Sequence, residues 1–200
     1  QLVANFSNQA FSKIRDQLQQ GYPEAVRLRR LAQETAWMAQ RGQYNVPRLL
    51  QRNDKLTTML AFSHFAESAM RAAHLCARSY APYYKWLLHS TEQLPQGAEL
   101  AALLQKSTTL PLEQWETEII APVCAIIAKQ MKEQGISTQE ESYMQVHAEA
   151  AAQQAALLEQ KEALVEKIVR LEFSEFDKVK NEGVRAGCQD DWETFSIMRK

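Results

Sequence analysis

Apolar side chains recur every three to four residues along nearly the whole chain, while the strict alternation of a half-buried strand is nowhere sustained. The pattern predicts helices. The first covers about Asn5 to Gln19, with Phe6, Ala10, Ile14 and Leu18 on one side and Gly21 as its stop. A second opens at Pro23 and runs to about Arg41, its apolar side marked by Val26, Leu28, Leu31, Ala32, Thr35 and Met38. Gly42 is the expected stop, since glycine accepts the left-handed conformation of a helix end. Pro47 biases Val46 away from helix, so a short turn at Asn45 and a restart near Pro47 are expected.

A long helix then covers about Lys55 to Ser79. Leu56, Met59, Leu60, Ser63, Ala66, Ala69, Met70, Ala73 and Ala77 form its expected seam. Pro82 starts an aromatic helix that ends near Leu94. Shorter helices are expected over about Ala98–Ser107 and Leu112–Glu133, the latter with a wide stripe of Ile119, Ile120, Val123, Ile126, Ile127 and Met131 and a stop at Gly135. Ser137 or Thr138 reads as a cap, with Glu140 or Glu141 reaching back. From about Gln139 to Asn181 nothing breaks the helical pattern. Leu157, Leu164, Ile168, Leu171 and Val179 keep one face apolar, Phe173 and Phe176 add to it, and Gly183 is the stop. This stretch is one very long helix or two with a kink, and such a helix needs a packing partner. A last helix, capped at Asp190 or Asp191, closes the chain. Short connections favour antiparallel neighbours, so the fold class is all-α, an up-and-down helical bundle with a long C-terminal helix. The domain division expected is 1–155 for the bundle and 156–200 for the long helix and the truncated start of a second helical domain.

Composition agrees. Six glycines and six prolines are few for 200 residues, and straight-chain residues dominate. Cys76, Cys124 and Cys188 are widely spaced and odd in number, which reads as reduced thiols. No apolar run reaches the length of a membrane span, and the first residues lack the pattern of a signal peptide, so no membrane partner and a cytoplasmic location are expected. The net charge of −1 hides an asymmetry: residues 1–90 hold 12 Lys/Arg against 5 Asp/Glu, and residues 91–200 hold 11 against 19. A basic half can attract phosphate-bearing ligands, or the two halves can simply attract each other.

Motifs for catalysis are missing: no glycine-rich phosphate loop, no GxSxG, no HExxH, and no zinc-like spacing of His64, His74, His89 and His147. Catalytic residues and metal ligands are therefore assigned to none. Three groups remain. Glu67 lies three residues after His64 and four before Arg71, on one helix face, as an oriented polar trio or as an ion pair. Arg27, Arg29, Arg30, Arg48, Arg52 and Lys55 form a basic set. Arg48 and Arg52 are expected at a helix start beside Asn45, where backbone N–H groups would add to an anion site. In the stretch "SYAPYYKWLLHS", Tyr83, Trp86 and Leu87 group together while Tyr80 and Tyr84 form a second row. One row is expected in the core. The other either packs too or stacks on a flat ligand, with Lys85 beside it for phosphate.

The segments "YPEAVRLRRLAQETAWMAQRGQYNVPRLLQRND", "RSYAPYYKW" and "ISTQEESYMQVHAEA" resemble the C-terminal helical half of an uncharacterised bacterial family that carries a nucleotidyltransferase-like domain upstream. The resemblance covers about residues 7–155, and its most specific pieces are "AQxGQYNxPR" over Ala39–Arg48 and "YxPxYKW" over Tyr80–Trp86. Val46 stands where the family often has an aromatic residue. Val146 stands where an acidic residue usually precedes His147, which separates His147 from any shared role. Residues 161–200, with "NEG-RA-CQDD--TF-IMR", resemble the opening of a second uncharacterised bacterial domain and are expected to be incomplete.

The resemblance implies a substrate-recognition helical domain of a nucleotidyltransferase-like protein that is not catalytic by itself. Asn45, Arg48, Arg52, Glu67, Tyr83, Tyr84, Lys85 and Trp86 are its candidate substrate-binding surface. No cofactor is expected in this chain, while magnesium and a nucleotide would enter with an upstream catalytic domain in a longer natural protein. A phosphate-bearing ligand and a homodimer are the other partners considered. The alternatives are a structural or oligomerisation bundle and, behind it, an RNA-binding module built on the basic half.

Overall fold

The structure is a computed structural model that describes residues 9–185, with side chains for residues 12–166 apart from Gln17. Asn5, Phe6, Cys188 and the expected last helix with its cap at Asp190 or Asp191 lie outside the described residues. The chain is all-α, and no strand occurs among the described residues. It divides into two units, residues 1–156 and 157–200.

In the first unit α1 is Gln9–Gln19, and the chain leaves it through Gly21 at φ +84°, as its pattern predicts. Then follow α2 (Glu24–Met38), a π-helical segment (Ala39–Asn45), α3 (Val46–Gln51) and α4 (Lys55–Cys76). The next elements are α5 (Tyr84–Glu92) and α6 (Gly97–Gln105). Two 3-10 turns (Lys106–Thr108, Leu112–Gln114) and a second π segment (Glu116–Ile120) lead into α7 (Ala121–Glu133). The last helix, α8, runs Met144–Arg185. Packing of α2 on α4, of α4 on α5 and α7, and of α6 on α5 and α7 makes the helical bundle. Its core is Leu28, Leu31 and Met38 of α2, Phe65, Ala69 and Ala72 of α4, and Val123, Ile127 and Met131 of α7. Each large apolar side chain buried there contributes about 1.5–3 kcal/mol.

The junction after α2 departs from expectation. Gly42 does not stop a helix and is not left-handed; it sits inside the first π segment. It is glycine because the Phe65 ring lies against it: a Cβ there would stand 2.3 Å from Phe65 Cδ2. The expected turn at Asn45 is absent too, since Asn45 and Val46 keep right-handed helical angles. The π segment explains how the helix survives Pro47. Proline lacks an N–H and its ring crowds the carbonyl four residues back, and the wider π turn relieves that crowding. The same device recurs: the second π segment ends at Ile120, two residues before Pro122. The two π segments pack on each other.

Three further expectations are corrected. On α4 the expected seam fails in its first half: Leu56, Met59 and Leu60 are exposed, and the buried face is Thr58, Phe62, Phe65, Ser68, Ala69, Ala72, Ala73 and Cys76. The two phenylalanines bury more apolar area, so they win the core-facing side. On α5 neither aromatic row is core. Tyr80, Tyr83, Tyr84 and Trp86 are all exposed, and Leu87 alone of that group is buried. Tyr80 instead packs edge-on against Tyr22, with ring centroids 4.4 Å apart. On α8 neither Ser137 nor Thr138 is the cap, because the helix begins only at Met144. The Ser137 hydroxyl serves the buried His147, at 2.8 Å from Nδ1, while Nε2–H donates to the Glu141 carbonyl. The first turns of α8 bury Met144, His147, Ala148, Ala151 and Ala155.

In the second unit α8 continues as one unbroken helix to Arg185, so Gly183 is not its stop. Leu157, Leu164 and Val165 are exposed.

Candidate functional site

Arginine placement shows first what the basic set is not. Arg27 is 2% exposed and serves the fold. Its guanidinium donates to Glu24 at 2.7 and 2.9 Å, to the Leu75 carbonyl at 3.0 Å and to Gln134 Oε1 at 3.3 Å. Gln134 in turn donates to the Cys76 carbonyl at 3.0 Å, so α2, α4 and the end of α7 are tied at one point. Glu24 also accepts from Arg78 at 2.7 Å. These two guanidiniums, Arg27 first, hold the Glu24 carboxyl down from 4.5 to about 2 against the opposing effect of burial. Arg27 is thus withdrawn from phosphate contact. Arg30 lies over the Tyr22 ring at 4.8 Å, and Arg48 over Tyr44 at 3.8 Å. Arg52 is the C-cap of α3, and Asn45 lies in continuous helix. The start of α3 beside Asn45 is therefore not a free helix N-terminus, and the backbone contribution expected there for an anion site is absent.

The eight candidate residues fall at three places along α4. Asn45, Arg48 and Arg52 precede its N-terminus. Tyr83, Tyr84, Lys85 and Trp86 follow its C-terminus, where the Tyr83 and Tyr84 rings pack at 4.4 Å. A 22-residue helix rises about 33 Å, so these two groups do not share one small pocket. Glu67 stands between them, paired with Arg71 at 2.8 and 3.0 Å. That pair belongs to a charged cluster between α2 and α4: Glu34, Glu67 and Arg71, with Ser68 and Arg41. Arg41 reaches Ser68 Oγ at 3.5 Å and lies over the Trp37 ring at 4.4 Å. One Glu34 oxygen is buried without a partner, and burial pushes its carboxyl above the ordinary value despite Ser68 and Arg71. His64, expected to share this face, is exposed.

A groove of about 550 Å³ lies between α4, α5, α6 and the connection to α7. Its apolar wall is Met59, Phe62, Met70, Leu88, Leu104 and Trp115, and its polar positions are Ser63, Gln105, Ser107 and Thr108. The Phe62 and Trp115 rings pack at 4.3 Å as its floor. The Trp115 indole N–H is engaged by the Leu110 carbonyl at 3.2 Å, and the ring itself is buried. Tyr84 sits one turn before Leu88 on α5 and so on the same side of that helix. This volume suits a small molecule. The groove was missed in the sequence because its lining comes from four separated segments, and Ser107, Thr108 and Trp115 lie in what reads as a plain connection. Among the described residues no three His, Cys, Asp or Glu side chains gather as metal ligands, and no helix is long and apolar enough to cross a membrane.

Residues 4–87 match a family described as a domain of unknown function, DUF4037. Residues 162–200 match a second, a protein of unknown function, DUF4125. The chain thus joins stretches similar to two uncharacterised families. The first match ends at Leu87, so α6, α7 and half of the groove lie beyond it. No curated protein and no solved structure matches the chain.

Proposed function

We propose that the bundle is the substrate-recognition domain of a nucleotidyltransferase-like protein and is not catalytic by itself. The groove over Phe62 and Trp115 carries this reading: it is open, of small-molecule size, and rimmed by the exposed Met59 and the half-buried Met70 and Leu88. The resemblance through "AQxGQYNxPR" and "YxPxYKW" supplies the nucleotidyltransferase context. In this reading the substrate seats in the groove, and Tyr83, Tyr84, Lys85 and Trp86 border it toward the catalytic domain. Arg48 and Arg52, at the far end of α4, meet the phosphate-bearing side of that domain, which brings the magnesium and nucleotide.

Equilibrium dialysis of the 200-residue chain against a small-molecule extract, with bound compounds identified by mass, tests the reading. Ser63→Trp, which fills the groove from an exposed position, is the control. Enrichment of a compound by the parent and not by the variant is expected, as is nucleotide transfer to that compound by the intact natural polypeptide. Identical profiles for the two proteins would overturn it.

A second reading, an oligomerisation bundle, rests on the exposed Leu56, Met59 and Leu60 beside the groove. Sedimentation velocity decides it: a monomer at every concentration removes this reading.

A further inference from the structure

The connection from α4 into α5 sets four aromatic rings in water between Tyr80 and Trp86. Trp86 is 66% exposed, Tyr83 64%, Tyr84 59% and Tyr80 41%. The Tyr83 and Tyr84 rings meet at a tilt of 55°, which leaves each an outer face, and Trp86 meets no other ring among the described residues. Lys85 stands between Tyr84 and Trp86, exposed and without a carboxylate partner among the described residues. The one carboxylate on α5, Glu92, lies two turns further on, beside His89 at 3.6 Å. On the α2 side Tyr80 packs on Tyr22, whose ring lies under the Arg30 guanidinium. Glu24 accepts from both Arg27 and Arg78, so that trio keeps a net positive charge. The face thus joins open rings to positive charge.

We propose that the face from Tyr80 to Trp86 binds single-stranded nucleic acid, with bases stacked on Tyr83 and Trp86 and the phosphate backbone against Lys85. Every base has a π face, and rings interleaved with cations hold an unpaired strand without reading its sequence. In a duplex the base faces are stacked on one another and closed to such rings. The spacing fits more than one base. Tyr80 and Tyr83 are joined by non-helical chain of up to about 10 Å, and Tyr83 and Trp86 are a helical step of about 5–6 Å apart. That span is several times the ~3.4 Å between stacked bases. A protein partner is the rival occupant. Tyrosine and tryptophan suit a protein interface too, but lysine is depleted there, and burying the unpaired Lys85 ammonium would go uncompensated. A phosphate compensates it. None of these residues lines the groove, so the inference goes beyond the recognition-domain reading and neither depends on the other.

Fluorescence anisotropy decides the point: labelled dT and U dodecamers are titrated with the 200-residue chain at about 50 and 200 mM salt. An abasic dodecamer, a dodecamer duplex and the mononucleotide dTMP are the competitors. The expected result is saturable binding of the single strands that weakens as salt rises, with each competitor at least roughly tenfold weaker. Tighter binding of U than of dT, or the reverse, supports the inference and names the sugar. Trp86→Ala should lose roughly tenfold in affinity, and Lys85→Ala should reduce the salt slope by about one. Both should keep the parent melting temperature, because the two side chains are exposed. No saturable binding at the lower salt overturns the inference. So does an abasic strand or a mononucleotide as tight as the dodecamers, or full affinity in Trp86→Ala. Self-association that Trp86→Ala abolishes, without strand binding, would give the face to a second copy and overturn it as well. The groove is tested separately, by the dialysis of Ser63→Trp.

Discussion

Gln43 closes the first turn of α8 from 101 residues away: its Oε1 accepts the Met144 N–H at 2.8 Å. Its Nε2 donates at 2.8 Å to the Ser142 carbonyl just before the helix. One amide thus does for α8 what a local serine or aspartate does for most helices, and it ties the first π segment to the start of the longest helix. Gln43→Ala should cost about 1–2 kcal/mol, a fall in melting temperature of roughly 2–8 °C. Gln43→Glu keeps the acceptor but sets a carboxylate against the Ser142 carbonyl, and should recover little. Amide exchange of Met144 reads the cap directly. Protection there unchanged in Gln43→Ala would show that the helix start is held by something else.

Gly42 and Phe65 form the tightest approach around the first π segment. A methyl at Gly42 would enter the Phe65 ring, with Cδ2, Cε2 and Cγ all within 2.9 Å of it. Phe65 is fully buried, and a close-packed interior leaves its ring little room to retreat. Gly42→Ala should therefore destabilise by about 1–3 kcal/mol, in the range of overpacked cores. Phe65→Leu costs stability alone but makes space, so the double variant should lose less than the sum of the two. Additive losses in denaturant titrations would contradict this contact.

Both features sit in "AQRGQYNVPR", and they show what the chain reveals by itself. The segment stands out in the sequence, but its roles invert: Gly42 reads as a stop and Asn45–Pro47 as a turn, whereas the residues carry a helix through a proline by way of a π turn. An i→i+5 register has no periodic signature, so only Pro47 hints at it. The existence of the helices, the ends at Gly21 and Gly135 and the stripe of α7 are legible because 3.6-residue periodicity and left-handed glycines are local properties. The face α4 buries is not local. That helix carries two apolar stripes, and the bundle around it decides that Phe62 and Phe65 go in while Leu56 and Leu60 stay out. The candidate surface suffers from the same cause. Tyr83, Tyr84, Lys85 and Trp86 stand out in the sequence, but the groove needs α6 and the approach to α7, which sequence spacing does not bring near.

The Glu24–Arg27 pair makes stability depend on acid. The Glu24 carboxyl is held near 2 in the folded chain against 4.5 ordinarily, so its contribution is fully present above 4.5 and is lost as pH falls toward 2. Glu24 is partly open to water, side chain 38% exposed, and screening keeps the loss to about 1–2 kcal/mol. Glu24→Gln should flatten the melting temperature over this window. Arg27→Met, which removes the buried guanidinium from Glu24, Gln134 and the Leu75 carbonyl, should cost about 3 kcal/mol at neutral pH. An acid limb equally steep in Glu24→Gln would assign the acid sensitivity to other carboxylates.

Glu34 should act with the opposite sign. Burial raises its carboxyl in the folded chain, against the pull of Ser68, Arg71 and Arg41 and with a push from Glu67. The proton is thus bound more tightly in the folded than in the unfolded state. Its stabilising effect is complete below the ordinary value of 4.5 and is lost as pH rises through the raised one. Above that raised value the ionised group is a burden on the fold, with one buried oxygen unpartnered. Glu34→Gln, which keeps the shape and removes the charge, should raise the melting temperature at pH 7 by roughly 2–4 °C and change it little at pH 4. Melting curves of the two proteins across that range make the comparison. A variant less stable than the parent at pH 7 would mean that Arg41 and Arg71 hold the charged carboxylate in place, and that the balance at this cluster favours ionisation after all.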